Sequence, residues 1–121
     1  MKRFMDNEDG TIIDNQTKLM WQKGVHENRL IWTDGHNFAN QIIDGGYTDW
    51  RLPTIRELFT LVDSNREPAI DPIFSFREYC YWSSSVSTKY PDGAWGVNFQ
   101  YGKVLWFARD HGYYIRAVRE S

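Results

Sequence analysis

Asp49-Trp50-Arg51-Leu52-Pro53-Thr54-Ile55-Arg56-Glu57-Leu58 is the stretch that decides the fold. Thr54 and Glu57 stand three residues apart ahead of an apolar run, so hydroxyl and carboxylate can each satisfy a free backbone N–H at a helix start. Ile55, Leu58, Phe59 and Val62 then fall at i, i+3, i+4 and i+7, which predicts a helix over 54–63. Just upstream, Trp50 and Leu52 alternate with Asp49 and Arg51. The apolar pair can enter the core while the charged pair exchanges hydrogen bonds with neighbouring loops, and Pro53 holds the approach extended. Arg51 could also clamp a ligand, but a charge set between buried residues needs a partner, and a protein partner is the usual solution.

Working outward, Thr33 precedes Phe38, Ala39, Ile42 and Ile43, and Gly45-Gly46 follows, which predicts a first helix over 34–44. The N-terminal β-prone runs, broken by Asp6-Asn7-Glu8-Asp9-Gly10 and Asp14-Asn15-Gln16-Thr17, read as two small hairpins. Pro68 and Pro72 mark 63–79 as a connection, with one turn of helix near 71–74. Strands are expected at 80–86, 94–100, 103–108 and 113–119. A two-residue Tyr101-Gly102 loop would set Phe99 opposite Val104, Val97 opposite Trp106 and Trp95 opposite Ala108. On the other face Gly96 would lie under the Phe107 ring. A turn at 109–112 would continue the sheet, with Trp106 opposite Ile115 and Phe107 opposite Tyr114. The expectation is one α+β domain over 1–121, two helices with a curved antiparallel sheet formed mainly after residue 80. Its core would hold Trp21, Trp50, Leu52, Leu58, Val62, Trp82, Val97, Phe99, Trp106 and Ile115.

The 121 residues fit a single domain, with 41% hydrophobic and 25% charged residues. Six Trp, seven Tyr and seven Phe are enough to furnish both a core and a binding surface. A formal charge of −2 argues against a nucleic-acid partner, which calls for a basic face. Cys80, the single cysteine, excludes an intrachain disulfide and reads as a small packed group. No window approaches the ~20 apolar residues of a membrane span, so no membrane insertion is expected. Residues 1–30 hold no apolar run of the signal-peptide kind. The compartment is therefore cytoplasmic for a complete chain, and extracellular or envelope-associated if an upstream leader has been removed.

No constellation points to catalysis. Ser83-Ser84-Ser85 lacks the setting of an exposed nucleophile, and His26, His36 and His111 show no ligand spacing. The Asp6 to Asp14 loop has oxygen ligands and a glycine, as a calcium loop does, yet lacks the twelve-residue spacing ending in Glu. An Asx-rich turn explains it, and neither metal nor cofactor is expected.

Several segments together resemble a known family: Asp9-Gly10-Thr11-Ile12-Ile13-Asp14, Thr17-Lys18-Leu19-Met20-Trp21, Asp49-Trp50-Arg51-Leu52-Pro53-Thr54 with Glu57-Leu58, Tyr81-Trp82-Ser83-Ser84-Ser85, Val97-Asn98-Phe99 and Ile115-Arg116-Ala117-Val118-Arg119. In that order they are similar to the C-terminal domain of the Legionella collagen-like adhesin. The resemblance runs from Phe4 to Arg119. It implies a C-type-lectin-like fold, distantly akin to formylglycine-generating enzymes, and binding of sulfated glycans at a cell surface. This chain has no Gly-X-Y stalk, lacks the cysteine pair of those enzymes and is acidic. The expected function is a non-catalytic recognition module for a glycan or protein ligand; the alternative is an assembly domain that homo-oligomerises through its aromatic surface. The ligand site is expected where loop 87–93 meets turn 109–112, at Lys89, Tyr90, Asp92, Arg109, Asp110 and His111, with Tyr101 at the opposite tip. A region near Trp95 and Asp49 is the second choice.

Overall fold

A computed structural model describes residues 2–121. Its elements are β1 (Phe4–Asp6), β2 (Thr11–Asp14), β3 (Leu19–Gln22), α1 (Trp32–Ala39), α2 (Ile55–Phe59), β4 (Cys80–Trp82), β5 (Gly93–Asn98), β6 (Lys103–Ala108) and β7 (Val118–Glu120). The chain is α+β, with two α-helices and antiparallel sheets. There are two sheets where one was expected: β1-β2-β3-β7 and β4-β5-β6. The N-terminal hairpins thus build half of the scaffold.

The last segment makes this division. After turn 109–112 the chain does not return along β6. Tyr114 lies beside β4 instead, where Trp82 N–H donates to its carbonyl at 2.9 Å and its own N–H donates to Cys80 at 3.1 Å. Val118 then pairs with Trp21 of β3 and bridges Arg51. Ile115, Ala117 and Val118 are fully buried, which suits a segment threaded between two sheets rather than one laid on an edge. The expected pairs of Trp106 with Ile115 and Phe107 with Tyr114 are therefore absent. β6 remains an edge strand, and Phe107 stacks on the Tyr113 ring at 4.3 Å.

The β5–β6 register is shifted by two from the expected one: Trp95 faces Trp106, Val97 faces Val104 and Asn98 faces Lys103. Phe99 leaves the ladder to bury its ring, and its N–H donates to the Tyr79 carbonyl at 2.7 Å. The loop is then four residues long, closed by Gly102 N–H donating to Asn98 at 2.9 Å, with Gly102 at φ +70°. A shift of two preserves side-chain parity, so the face assignments stand. Phe107 does cover Gly96: a Cβ there would come within 2.4 Å of the ring.

α2 begins as its sequence dictates. Glu57 N–H donates to the Thr54 hydroxyl at 3.2 Å and Thr54 N–H to the Glu57 carboxylate at 2.9 Å. The helix ends at Phe59, and i to i+3 bonds carry the chain on to Val62. α1 departs from expectation, spanning Trp32–Ala39 with Ile31 rather than Thr33 at its cap and no side-chain cap bond. Tertiary bonds fix its start: Trp32 donates its backbone N–H to Arg109 at 3.1 Å and its indole N–H to Ser83 at 3.0 Å. Gly45 and Gly46, at φ +66° and +84°, belong to a separate 3-10 turn (Asp44–Gly46). Residues 71–74 form a hydrogen-bonded turn without a helix.

Two apolar clusters line opposite faces of both sheets. One contains Trp21, Leu58, Tyr81, Val97, Phe99 and Val118; the other contains Met20, Trp50, Leu52, Trp82, Phe107 and Ile115. Eight of the ten expected core residues are buried. Val62 and Trp106 are the exceptions, both only partly covered.

The charged residues of the defining stretch hold the scaffold. Arg51 grips Glu57 through two bonds of 2.7 and 2.9 Å, and Arg119 pairs with Asp49 at 2.6 Å. The Arg51 guanidinium, followed by the Thr54 N–H, holds the Glu57 carboxyl below its ordinary 4.5 against the opposing effect of burial. A depressed carboxyl contributes stability above its unfolded value and loses it as pH falls through its folded one. Glu57→Gln should cost about 1 kcal/mol at neutral pH, a figure reduced by the pair's solvent exposure. Urea melts at descending pH should show the gap to wild type closing below pH 4.5; a pH-independent gap would contradict this account.

Candidate ligand-binding face

The end of the sheet carrying loop 87–93 and turn 109–112 is assembled by backbone bonding. Arg109 N–H donates to the Asp92 carbonyl at 2.9 Å, and Trp95 N–H to Ser85 at 2.9 Å. The six expected site residues thus do lie on adjoining segments, but their side chains diverge. Tyr90, 55% exposed, turns its ring to Trp106 at 6.2 Å, with the Lys89 ammonium 5.4 Å above it. Arg109 turns to Trp32, its guanidinium 4.5 Å over that ring and its Nε donating to Gly93 at 3.0 Å. Asp92, Asp110 and His111 stay exposed, with Asp110 and His111 3.8 Å apart. Tyr101 projects from the opposite hairpin tip at 64% exposure.

Sequence reasoning missed the face beside Tyr90. Trp95 and Trp106 meet edge to face at 5.0 Å on the side of the β5–β6 ladder that also carries Val104. Val104, Ile55, Arg56 and Phe59 line an apolar groove between β6 and α2. The clue was present in the strand alternation, which placed Trp95, Val97, Val104 and Trp106 together. What it could not show is the register that sets Trp95 directly opposite Trp106 while Val97 is buried with Leu58 of α2. The second-choice pairing of Trp95 with Asp49 does not form; Asp49 is held by Arg119 at the other sheet.

The remaining candidates have structural partners. The Ser83 hydroxyl donates to Trp95 at 2.6 Å and the Ser84 hydroxyl to Pro53 at 3.3 Å, while Ser85 accepts the Ile55 N–H at 2.9 Å. His36 packs on the Trp32 ring at 5.2 Å, and His26 accepts the Asn28 N–H at 3.1 Å. In the N-terminal loop Asp6 binds Lys23, Asp9 accepts from Thr11, and Asp14 is buried against Arg3. Those carboxylates act as turn and ion-pair groups. Cys80 lies half-buried, and burial raises its thiol pKa, which lowers its reactivity.

Among the described residues no helix is long and apolar enough to cross a membrane. The family described as Lcl C-terminal domain matches residues 10–119, everything but the first nine residues, which include β1, and the last two. No curated protein matches the chain.

Proposed function

Since the chain belongs to the Lcl C-terminal domain family, we propose that it is a non-catalytic recognition module of C-type-lectin-like kind, binding a glycan or protein ligand at a cell surface or envelope. The observation that carries this reading is the group formed by exposed Tyr90 and the partly exposed Trp95 and Trp106 beside mixed charges, with the two indoles on β5 and β6 and Tyr90 on the adjoining loop. Aromatic rings offer large contact area at low entropic cost. The hydroxyls of Ser83, Ser84 and Ser85 are committed to the fold, which fits a binding role for this segment better than a nucleophilic one. Arrays of glycans and surface proteins would supply ligands. Tyr90→Ala combined with Arg109→Ala should then weaken binding at least about tenfold, a loss of 1.4 kcal/mol, and Tyr90→Ala alone, at an exposed position, should weaken it with the melting temperature unmoved. Unchanged affinity would exclude this face.

A second reading, assembly, is favoured by the β6 edge. Val104 and Leu105 are 40% and 38% exposed on an edge strand that pairs with β5 on one side only, a surface that a second copy could cover. Light scattering that shows a monomer over the accessible concentration range would remove it.

A further inference from the structure

The geometry points to an uncharged saccharide as the ligand of this face, an inference that rests on the recognition reading and specifies its chemistry. Gly93 opens β5 under Trp106, and a Cβ there would lie 2.5 Å from the indole and 2.6 Å from the Phe107 carbonyl. The missing side chain lets the Trp106 ring sit where a Cβ would be, against the strand backbone. Tyr90 and Trp95 close on it from 6.2 and 5.0 Å. The ring is therefore positioned before any ligand arrives, which lowers the ordering cost of binding.

The indole N–H groups separate a saccharide from a purely apolar partner. Trp32, Trp50 and Trp82 donate theirs to the carbonyls of Ser83, Asp44 and Leu30. Trp21 has a sealed N–H without a partner. Among the described residues Trp95 and Trp106 alone have an indole N–H that is neither bonded to a protein acceptor nor sealed, that of Trp106 lying beside Gly93. A surface of rings edged by free donors suits a pyranose, whose C–H face packs on the ring while its rim hydroxyls accept from the indoles. Asp92, exposed on the same loop, can accept a hydroxyl in return.

Charge separates a neutral sugar from a sulfated one. Lys89 and Arg109 are offset by Asp92 and Asp110, and the Arg109 guanidinium is already engaged by Gly93 and Trp32. A polyanion would meet two carboxylates and little free positive charge, which opposes its approach.

The test is calorimetric titration of the full chain with neutral hexasaccharides (cellohexaose, xylohexaose and chitohexaose) and with a heparin hexasaccharide. At least one neutral sugar should bind, with affinity changing less than about twofold between roughly 50 and 500 mM salt, since no counterions are released. Trp106→Ala should weaken it by about tenfold or more. Tyr90→Ala, at an exposed position, should weaken it with an unaltered melt, which separates a binding defect from misfolding. The inference is overturned if no neutral sugar binds, if heparin alone binds with steep salt dependence, or if neither variant loses affinity. Heparin or protein binding that Tyr90→Ala with Arg109→Ala abolishes would leave the recognition surface standing without the neutral sugar. If that double variant changes no affinity, the recognition reading itself falls.

Discussion

Arg116→Ala is expected to cost about 3 kcal/mol or more, since it strips a buried donor from several carbonyls, each costly to leave unsatisfied, and removes a packed side chain. Arg116 is 1% exposed. Its guanidinium reaches the carbonyls of Gln22 and Gly24 at 2.9 and 3.0 Å, and also those of Lys23 and Ser75. It lies 4.9 Å from the Phe74 ring and 5.8 Å from that of Tyr81. Carbonyl dipoles and ring faces thus take the place of water and of a carboxylate. Burial still pushes its pKa down to about 10, so it remains charged at neutral pH. Truncation leaves four carbonyls without this donor at the junction of β3, the 63–79 connection and the C-terminal segment. Arg116→Lys should recover little, because one ammonium cannot replace the planar fork. For a domain whose total stability is about 5–15 kcal/mol, the urea midpoint should fall steeply; a midpoint equal to wild type would refute the clamp.

Trp50→Ala should cost about 3–5 kcal/mol, the range for a buried aromatic truncated in a packed core. Trp50 is 2% exposed, and its indole donates to the Asp44 carbonyl at 3.1 Å, anchoring the 3-10 turn before the Asp49–Pro53 stretch. Trp50→Phe keeps most of the volume but removes that donor, so it should cost less than half as much. A thermal melt of Trp50→Ala matching wild type would contradict the core assignment.

These two residues also show what the sequence makes legible. Trp50 could be placed because local signals agree around it: an alternating approach, a proline and a capping box. The face shared by Trp95, Val97, Val104 and Trp106 was legible because a period of two survives a register shift. The register itself was not, since it turns on Phe99 preferring the core to the hairpin, a long-range contact. Nor was the second sheet, whose β3–β7 pairing joins residues about a hundred positions apart. The role of Arg116 was hidden for the same reason: all its acceptors lie more than forty residues away. At the candidate site, the turn residues identified the loops and Tyr90, whereas the meeting of the two indoles depends on the β5–β6 register.

The six tryptophans make the central claim measurable in one experiment. With uniform 15N labelling, the indole N–H resonances can be followed while the tightest-binding neutral hexasaccharide is added. The resonances of Trp95 and Trp106 should shift in a saturable way, while those of Trp21, Trp50 and Trp82 hold still. Saturable binding that leaves Trp95 and Trp106 unmoved would contradict the account.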